Sequence, residues 1–220
     1  MLVSDRKKFI FIKTSKTAGT SVEAFFEKYC FPEGEWQLSH SRDQYIGETG
    51  LVGGREKGKH DILHSHMPAK GIRELVSDEQ WASYFKFSIV RNPFDRLVSR
   101  FFFYMKNQGV DVSLLTLPEL KKAFDALVRK QHYPILGALS LNNEMVTDFN
   151  IRYENLHDDL KRVCEKLGVT YSEAELPSFK SGIRDNRIAL QDLYTTELIA
   201  YVEAQYKTEI ETFGYQFPTD

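Results

Sequence analysis

Short apolar runs separated by amphipathic stretches make up most of the chain. Phe9–Lys13 (FIFIK) and Phe85–Val90 (FKFSIV) are aromatic and β-branched over a few residues, so each predicts a buried strand. Asp61–Ser65 and Asp148–Tyr153 predict two further short strands. Helices are expected over Thr20–Tyr29, from about Ala69 to Val76, over residues 117–131 and over Asn155–Leu167, the last closed by Gly168. Thr20-x-x-Glu23 has the form of a capping box, in which the threonine covers an orphan N–H and the glutamate reaches back. Another helix starts at Pro93 and puts Phe94, Leu97, Val98, Phe101 and Met105 on one face. A final helix is expected from Leu193 to Ile210, after a polar loop from Ser172 to Gln191. Residues 39–60 carry five glycines and predict a surface loop, and residues 132–147 read as irregular. Strands alternating with helices in this way predict an α/β fold with a central, mainly parallel sheet flanked by helices.

Composition narrows the class. A chain of 220 residues, 42% hydrophobic and 27% charged, is expected to form one domain over residues 1–220. A formal net charge of −2 argues against general nucleic-acid or membrane-surface binding, so an anion site has to be a local pocket. Cys30 and Cys164, each expected within a helix, make no disulfide framework and fit a reducing compartment. The opening MLVSDRKKFIFIK lacks a long apolar segment with a small-residue cleavage site. No apolar run reaches the roughly 18 residues of a transmembrane helix. A soluble, cytoplasmic protein is the expectation.

The chemistry begins where the first strand ends. Small residues in SKTAGTS let backbone N–H groups approach a ligand, and Gly19 tolerates backbone angles that other residues resist. The helix that follows directs its unsatisfied N–H groups and positive dipole end at the loop. Lys16 adds a cation, and Thr17, Thr20 and Ser21 add hydroxyls. A nucleotide-triphosphate P-loop needs G-x-x-x-x-G-K-[ST], whereas here the lysine precedes the glycine by three positions. The architecture is P-loop-NTPase-like, a three-layer fold, without the ATP signature. A generic strand–turn–helix is the bland alternative.

Lys16-Thr17-Ala18-Gly19-Thr20-Ser21 resembles the 5′-phosphosulfate loop of sulfotransferases that use 3′-phosphoadenosine 5′-phosphosulfate (PAPS). It is most similar to that of the carbohydrate sulfotransferases, whose usual proline before the lysine is Ser15 here. A donor with an extra 3′-phosphate needs a second anion site, and FSIVRNPFDRLVSRF offers one. Arg91 ends a buried strand, where ligands gather in open α/β sheets. Ser99 lies six residues past Pro93, about 9 Å along a helix. The resemblance implies that Arg91 and Ser99 hold the 3′-phosphate; the alternative is an Arg91–Asp95 salt bridge and a serine on a solvated face. FNIRYENL, RDNRIALQDLY and FGYQF are similar to the family's later segments, and Arg184 lies in a loop that in such enzymes folds over the nucleotide.

Sulfuryl transfer to a hydroxyl needs in-line geometry, stabilisation of the leaving phosphate oxygen and a base for the hydroxyl proton. Lys16 suits the second task. For the third, His64 and His66 alternate in DILHSHMPAKGI, which puts both on one face of an extended stretch. His66-Met67-Pro68 resembles the family's catalytic histidine, and the H-x-H arrangement resembles uronyl 2-O-sulfotransferases. His66 is therefore expected to be the base and His64 its partner or alternate. No compelling metal-ligand cluster accompanies them, so no metal is expected. Glu23 and Glu154 are weaker alternative bases. Rival readings are a kinase or hydrolase using ATP or GTP with magnesium, and an inactive nucleotide-binding scaffold. Lysines and arginines in residues 121–130 read as a charged helix face, so no nucleic-acid or membrane partner is expected. Residues 39–60 and 104–147 are expected to shape the site for a hydroxyl-bearing, carbohydrate acceptor.

Overall fold

The computed structural model describes residues 1–55, 62–179 and 187–219. They fall into two compact units, Met1–Val90 with Ile135–Phe179, and Arg91–Pro134 with Lys180–Asp220.

The first unit is built on a six-stranded sheet. Its strands are β1 (Leu2–Ser4), β2 (Phe9–Ile12), β3 (Tyr45–Gly47), β4 (Gly50–Val52), β5 (Phe85–Val90) and β8 (Phe149–Arg152), in the order β3-β4-β1-β2-β5-β8. Strands β2, β5 and β8 run parallel, with Phe11 opposite Phe87 and Phe87 opposite Phe149. On the other side of β2 the sheet continues antiparallel through β1, β4 and β3. The expected α/β class is what the chain adopts, with the parallel part formed by the runs the apolar pattern marks most strongly.

Period-2 alternation sends Phe9, Phe11, Phe87 and Ile89 to one face of the sheet. There they meet Val22, Phe25 and Phe26 of α1 (Gly19–Glu27), and Leu160, Val163 and Cys164 of α6 (Leu156–Leu167), in one buried cluster. Phe26 lies at its centre, with ring centroids 5.0 Å from Phe25, 5.0 Å from Phe87 and 5.7 Å from Phe9. Gly168 closes α6 in the left-handed region at φ 61°, as expected. Two short helices, α2 (Ala69–Leu75) and α3 (Asp78–Ser83), lead into β5, and Ser77 with Gln80 makes a capping box at the start of α3.

Several local expectations change. The predicted loop 39–60 contains the β3–β4 hairpin; its residues 56–60 lie outside the described residues. Gly50 pairs with Ser4 and Gly47 in the ladder, and the position takes no larger residue because a Cβ there would sit 2.2 Å from the Val3 carbonyl, a long-range constraint that local pattern does not carry. The expected strand Asp61–Ser65 is reduced to one bridge between Gly54 and His64, and a turn follows in which the Met67 N–H donates to the His64 carbonyl at 3.0 Å; Asp61 is outside the described residues. Cys30 lies beyond the end of α1, while Cys164 is helical, and both are free, buried thiols. Within residues 132–147, Ser140–Leu141 (β6) and Glu144–Met145 (β7) pair across Asn142 and Asn143, both left-handed, as a two-residue hairpin demands.

In the second unit, Asn92 caps α4 (Pro93–Asn107) by accepting from the Phe94 N–H at 3.1 Å. Phe94, Leu97, Val98, Phe101 and Met105 are buried as the spacing predicts, with Leu120, Phe124 and Val128 of α5 (Leu117–Lys130). The expected final helix is broken into α7 (Leu190–Leu193), α8 (Thr196–Gln205) and α9 (Lys207–Phe213). Thr195 is extended and accepts the Leu198 N–H, so the chain stops and restarts there, and Tyr206 (ψ 18°) bends it again.

Phe26→Ala is expected to cost about 3–5 kcal/mol of unfolding free energy, because it empties the centre of the aromatic cluster. Urea unfolding of the two chains measures this, and an unchanged midpoint would remove Phe26 from the core.

Candidate active site

The loop from Lys13 to Ala18 leaves the buried end of β2 and enters α1 in two left-handed steps. Lys16 (φ 63°) and Ala18 (φ 62°) both occupy a region that non-glycine residues reach at a cost of about 1–3 kcal/mol each. Alternating the backbone hand in this way turns successive N–H groups into one concavity, the geometry of an anion nest. Within α1 the Ser21 N–H returns to the Ala18 carbonyl at 3.0 Å. The N–H groups ahead of it belong to the helix start, where no carbonyl a turn earlier exists and the dipole is positive.

Two glycine and hydroxyl roles differ from expectation. Gly19 has no positive φ; it is needed for space, since a Cβ would sit 2.9 Å from Lys13 Cγ and 3.3 Å from the Thr14 carbonyl. The Thr17 hydroxyl is buried and turned inward, donating to the Thr14 carbonyl at 3.2 Å and lying 3.0 Å from the Thr14 hydroxyl. Thr14 in turn donates to the Ile89 carbonyl of β5. Thr17 therefore holds the loop's shape. Ser21 is buried and accepts the Phe179 N–H at 3.2 Å, which leaves its own proton to donate. Lys16 and Thr20 are half-buried at the loop. The expected capping box is absent: Ala18 occupies the N-cap position without a side-chain bond, and Glu23 points into the interior.

His66 lies near this loop, with the Lys13 ammonium among the charges that act on its ring. Burial alternates along the approach, with Leu63, Ser65 and Met67 inside and Ile62, His64 and His66 outside. The two histidines thus share an outward side, although the backbone turns beneath them. His66 is exposed, yet protein crowds round its ring enough to disfavour the charged form. That crowding, then the Lys13 ammonium and the Met1 amino group, lower its pKa to about 4 against the opposing pull of Glu23. At neutral pH the ring is uncharged, with a lone pair able to accept a proton.

Beneath the loop lies an ionic cluster that the sequence pattern did not single out. Lys13 Nζ donates to Glu23 Oε2 at 2.8 Å and to Ser65 Oγ at 2.7 Å. Arg55 reaches Glu23 at 3.3 Å and Glu27 at 3.0 Å, and both carboxylates are 0% exposed. Burial alone would raise the Glu23 carboxyl, but the Met1 amino group at 2.8 Å and Lys13 more than offset it and leave it at about 2. At Glu27 burial wins over Arg55 and Arg42, and its pKa is raised. The available signal was a lysine ending an apolar strand, and two glutamates at i, i+4 on a helix where they flank the apolar Ala24, Phe25 and Phe26.

In the second unit Arg91 is buried and directs Nε and Nη2 to Asp95 Oδ2, each at 2.7 Å. The salt bridge held open from the sequence is present. Ser99 is half-buried on α4. Arg184 lies outside the described residues. Among the described residues no group of three or more His, Cys, Asp or Glu is placed to hold a metal ion, and no helix is long and apolar enough to cross a membrane.

The His66 shift carries a pH dependence. Between its folded value of about 4 and an unfolded value of about 6.5, the unfolded chain binds the extra proton. The stability His66 contributes is therefore complete above about pH 6.5 and is lost as pH falls towards 4. Urea midpoints from pH 4.5 to 7 are expected to fall less steeply with acid in His66→Asn than in the parent chain; parallel curves would contradict the lowered value.

Comparison with known proteins bears on the loop and the sheet together. Over 104 residues the chain is 31% identical to an uncharacterised protein of Archaeoglobus fulgidus, an alignment covering 47% of this chain and 83% of that one. A sequence model of the sulfotransferase family matches residues 1–216, nearly the whole length. The chain belongs to the sulfotransferase family.

Proposed function

We propose that this sulfotransferase takes its sulfuryl group from PAPS and passes it to a hydroxyl of a carbohydrate, with His66 as the base. The observation that carries this reading is the left-handed pair Lys16 and Ala18 at the start of α1, with His66 close enough to the same loop for Lys13 to act on its pKa. The loop's N–H groups and Lys16 take the 5′-phosphosulfate. Arg91 and Ser99 take the 3′-phosphate, Arg91 giving forked charged contacts and Ser99 a neutral one. Thr20 and Ser21 add hydroxyl donors, and Arg184 is assigned to the nucleotide by resemblance. His64 stands as partner or alternate to His66.

In the transfer, the acceptor oxygen forms a bond to sulfur as the bond from sulfur to the phosphate oxygen breaks. The electron pair stays on that phosphate oxygen, releasing adenosine 3′,5′-bisphosphate, and the hydroxyl proton passes to His66. Lys16 and the helix N–H groups stabilise the charge that grows on the departing oxygen. Negative charge held in the loop would offset the field of Lys13 and raise His66 towards neutrality, where a base works best. The H-x-H pair supports a uronic-acid sugar as acceptor. Two free buried thiols support a reducing, cytoplasmic setting, where PAPS is available.

Calorimetry with adenosine 3′,5′-bisphosphate, ADP and ATP–magnesium tests the donor. The bisphosphate is expected to bind, and Arg91→Ala to weaken it about 10- to 100-fold with little effect on ADP. Preference for ATP–magnesium would overturn the PAPS assignment. Lys16→Ala is expected to lower turnover about 10²- to 10³-fold with an unchanged unfolding midpoint; near-normal turnover would remove Lys16 from the reaction.

A further inference from the structure

Within the second unit, the segment after α9 returns to the start of α4. Gly214 closes α9 in the left-handed region at φ 64°, and the Tyr215 N–H goes back to the Ile210 carbonyl at 3.0 Å. The next three residues are each tied down. The Gln216 carbonyl accepts from Asn92 Nδ2 at 2.8 Å, and the Pro218 carbonyl from Gln191 Nε2 at 3.1 Å. Between them the Phe217 ring stands edge-on to Phe94 and to Tyr194, with centroids 5.2 Å from each. The Tyr194 hydroxyl donates to the Phe94 carbonyl at 2.9 Å, so the segment rests on rings that are bonded to the first turn of α4.

Asn92 is the joint. Its Oδ1 caps α4 by accepting from the Phe94 N–H, and its Nδ2 holds the segment. A cap needs only the oxygen, which serine or threonine supplies as well. The amide is an addition, buried where an unmet N–H would be costly. What it steadies is the turn next to Arg91. Asn92 is outside helical geometry at φ −46° and ψ 122°, and its carbonyl accepts the Arg96 N–H at 2.8 Å as α4 begins. Arg91 is thus held by that turn through its main chain, and by Asp95, one turn into the helix, through its guanidinium.

We infer that residues 215–218, acting through Asn92, position Arg91 for the 3′-phosphate of the donor, and so set how well the site tells a 3′-phosphorylated nucleotide from one without it. This rests on the assignment of Arg91 to that phosphate. An arginine already aimed loses less rotamer freedom on binding, and the aim depends on the turn that carries it. Asn92 and Phe217 are positioning residues in this scheme.

Calorimetry of the full chain with adenosine 3′,5′-bisphosphate and adenosine 5′-monophosphate reads the 3′-phosphate alone, as the ratio of the two affinities. Asn92→Ser keeps a neutral cap and removes the bond to Gln216. Phe217→Ala loosens the segment and leaves Asn92 in place; Gln191→Leu, which frees Pro218, replaces it if that chain does not fold. Each is expected to lower the ratio about 3- to 10-fold. A merely structural role would lower the unfolding midpoint and leave the ratio at the parent value, which rejects the inference. A ratio lowered in Asn92→Ser but not in the segment variant rejects it too, because residues 215–218 are then not involved. Arg91→Ala separates the two levels. A ratio unchanged in Arg91→Ala takes the 3′-phosphate away from Arg91 and this inference with it; a ratio that collapses there but holds in the other variants rejects the positioning role alone.

Discussion

A carboxylate with no access to water has to be matched by cations, and the need to match Glu23 governs how the first unit is assembled. The residue sits on the inner side of α1, so the helix can dock on the sheet only if Lys13 at the end of β2 and Arg55 beyond β4 arrive with it. Removing any one partner leaves a buried charge uncompensated, at a cost of several kcal/mol. The hydrophobic cluster around Phe26 supplies the affinity of helix for sheet. The ionic cluster supplies the register, because charge pairing at under 3 Å tolerates far less sliding than ring contacts at 5 Å.

That register is what the loop between β2 and α1 requires. Its two left-handed residues are strained and do not hold themselves. They are clamped by the Thr14–Thr17 hydroxyl pair, by Gly19 lying close against Lys13, and by the start of α1. The site thus stores backbone strain at its centre and is over-determined by packing around it. Family membership, the nest and the neutral histidine beside it belong to one local construction.

The strongly apolar strands β2 and β5, the amphipathic α4 and the glycine-closed α6 were legible in the sequence, because each is specified by its own residues. The antiparallel side of the sheet was not. Leu2–Ser4 and Gly50–Val52 are too short to announce themselves, and they are strands because they pair with each other. The break at Thr195 was hidden by a helical pattern that continues through it. At the site, Lys16, Gly19 and His66 were legible as residue types with a recognisable spacing. Their physical roles were partly misassigned: the positive φ expected of Gly19 falls to Lys16 and Ala18, and the hydroxyl of Thr17 shapes the loop. Glu23 was read as a capping residue or an alternative base and its pairing with Lys13 was missed, because partnership between buried charges depends on which elements meet in space.

The bond from Thr14 to the Ile89 carbonyl crosses 75 positions of sequence, and Ser88 donates to the Ile12 carbonyl across 76. Strands β2 and β5 are neighbours in the sheet but distant along the chain. While the protein is being made, the loop motif has left the ribosome long before the strand that shapes it. The first 80 or so residues hold every loop residue and both histidines, yet they lack the neighbour that gives the loop its form. The loop's conformation is therefore a late acquisition of the folding chain, because the strand that anchors it is the last of the two to be made.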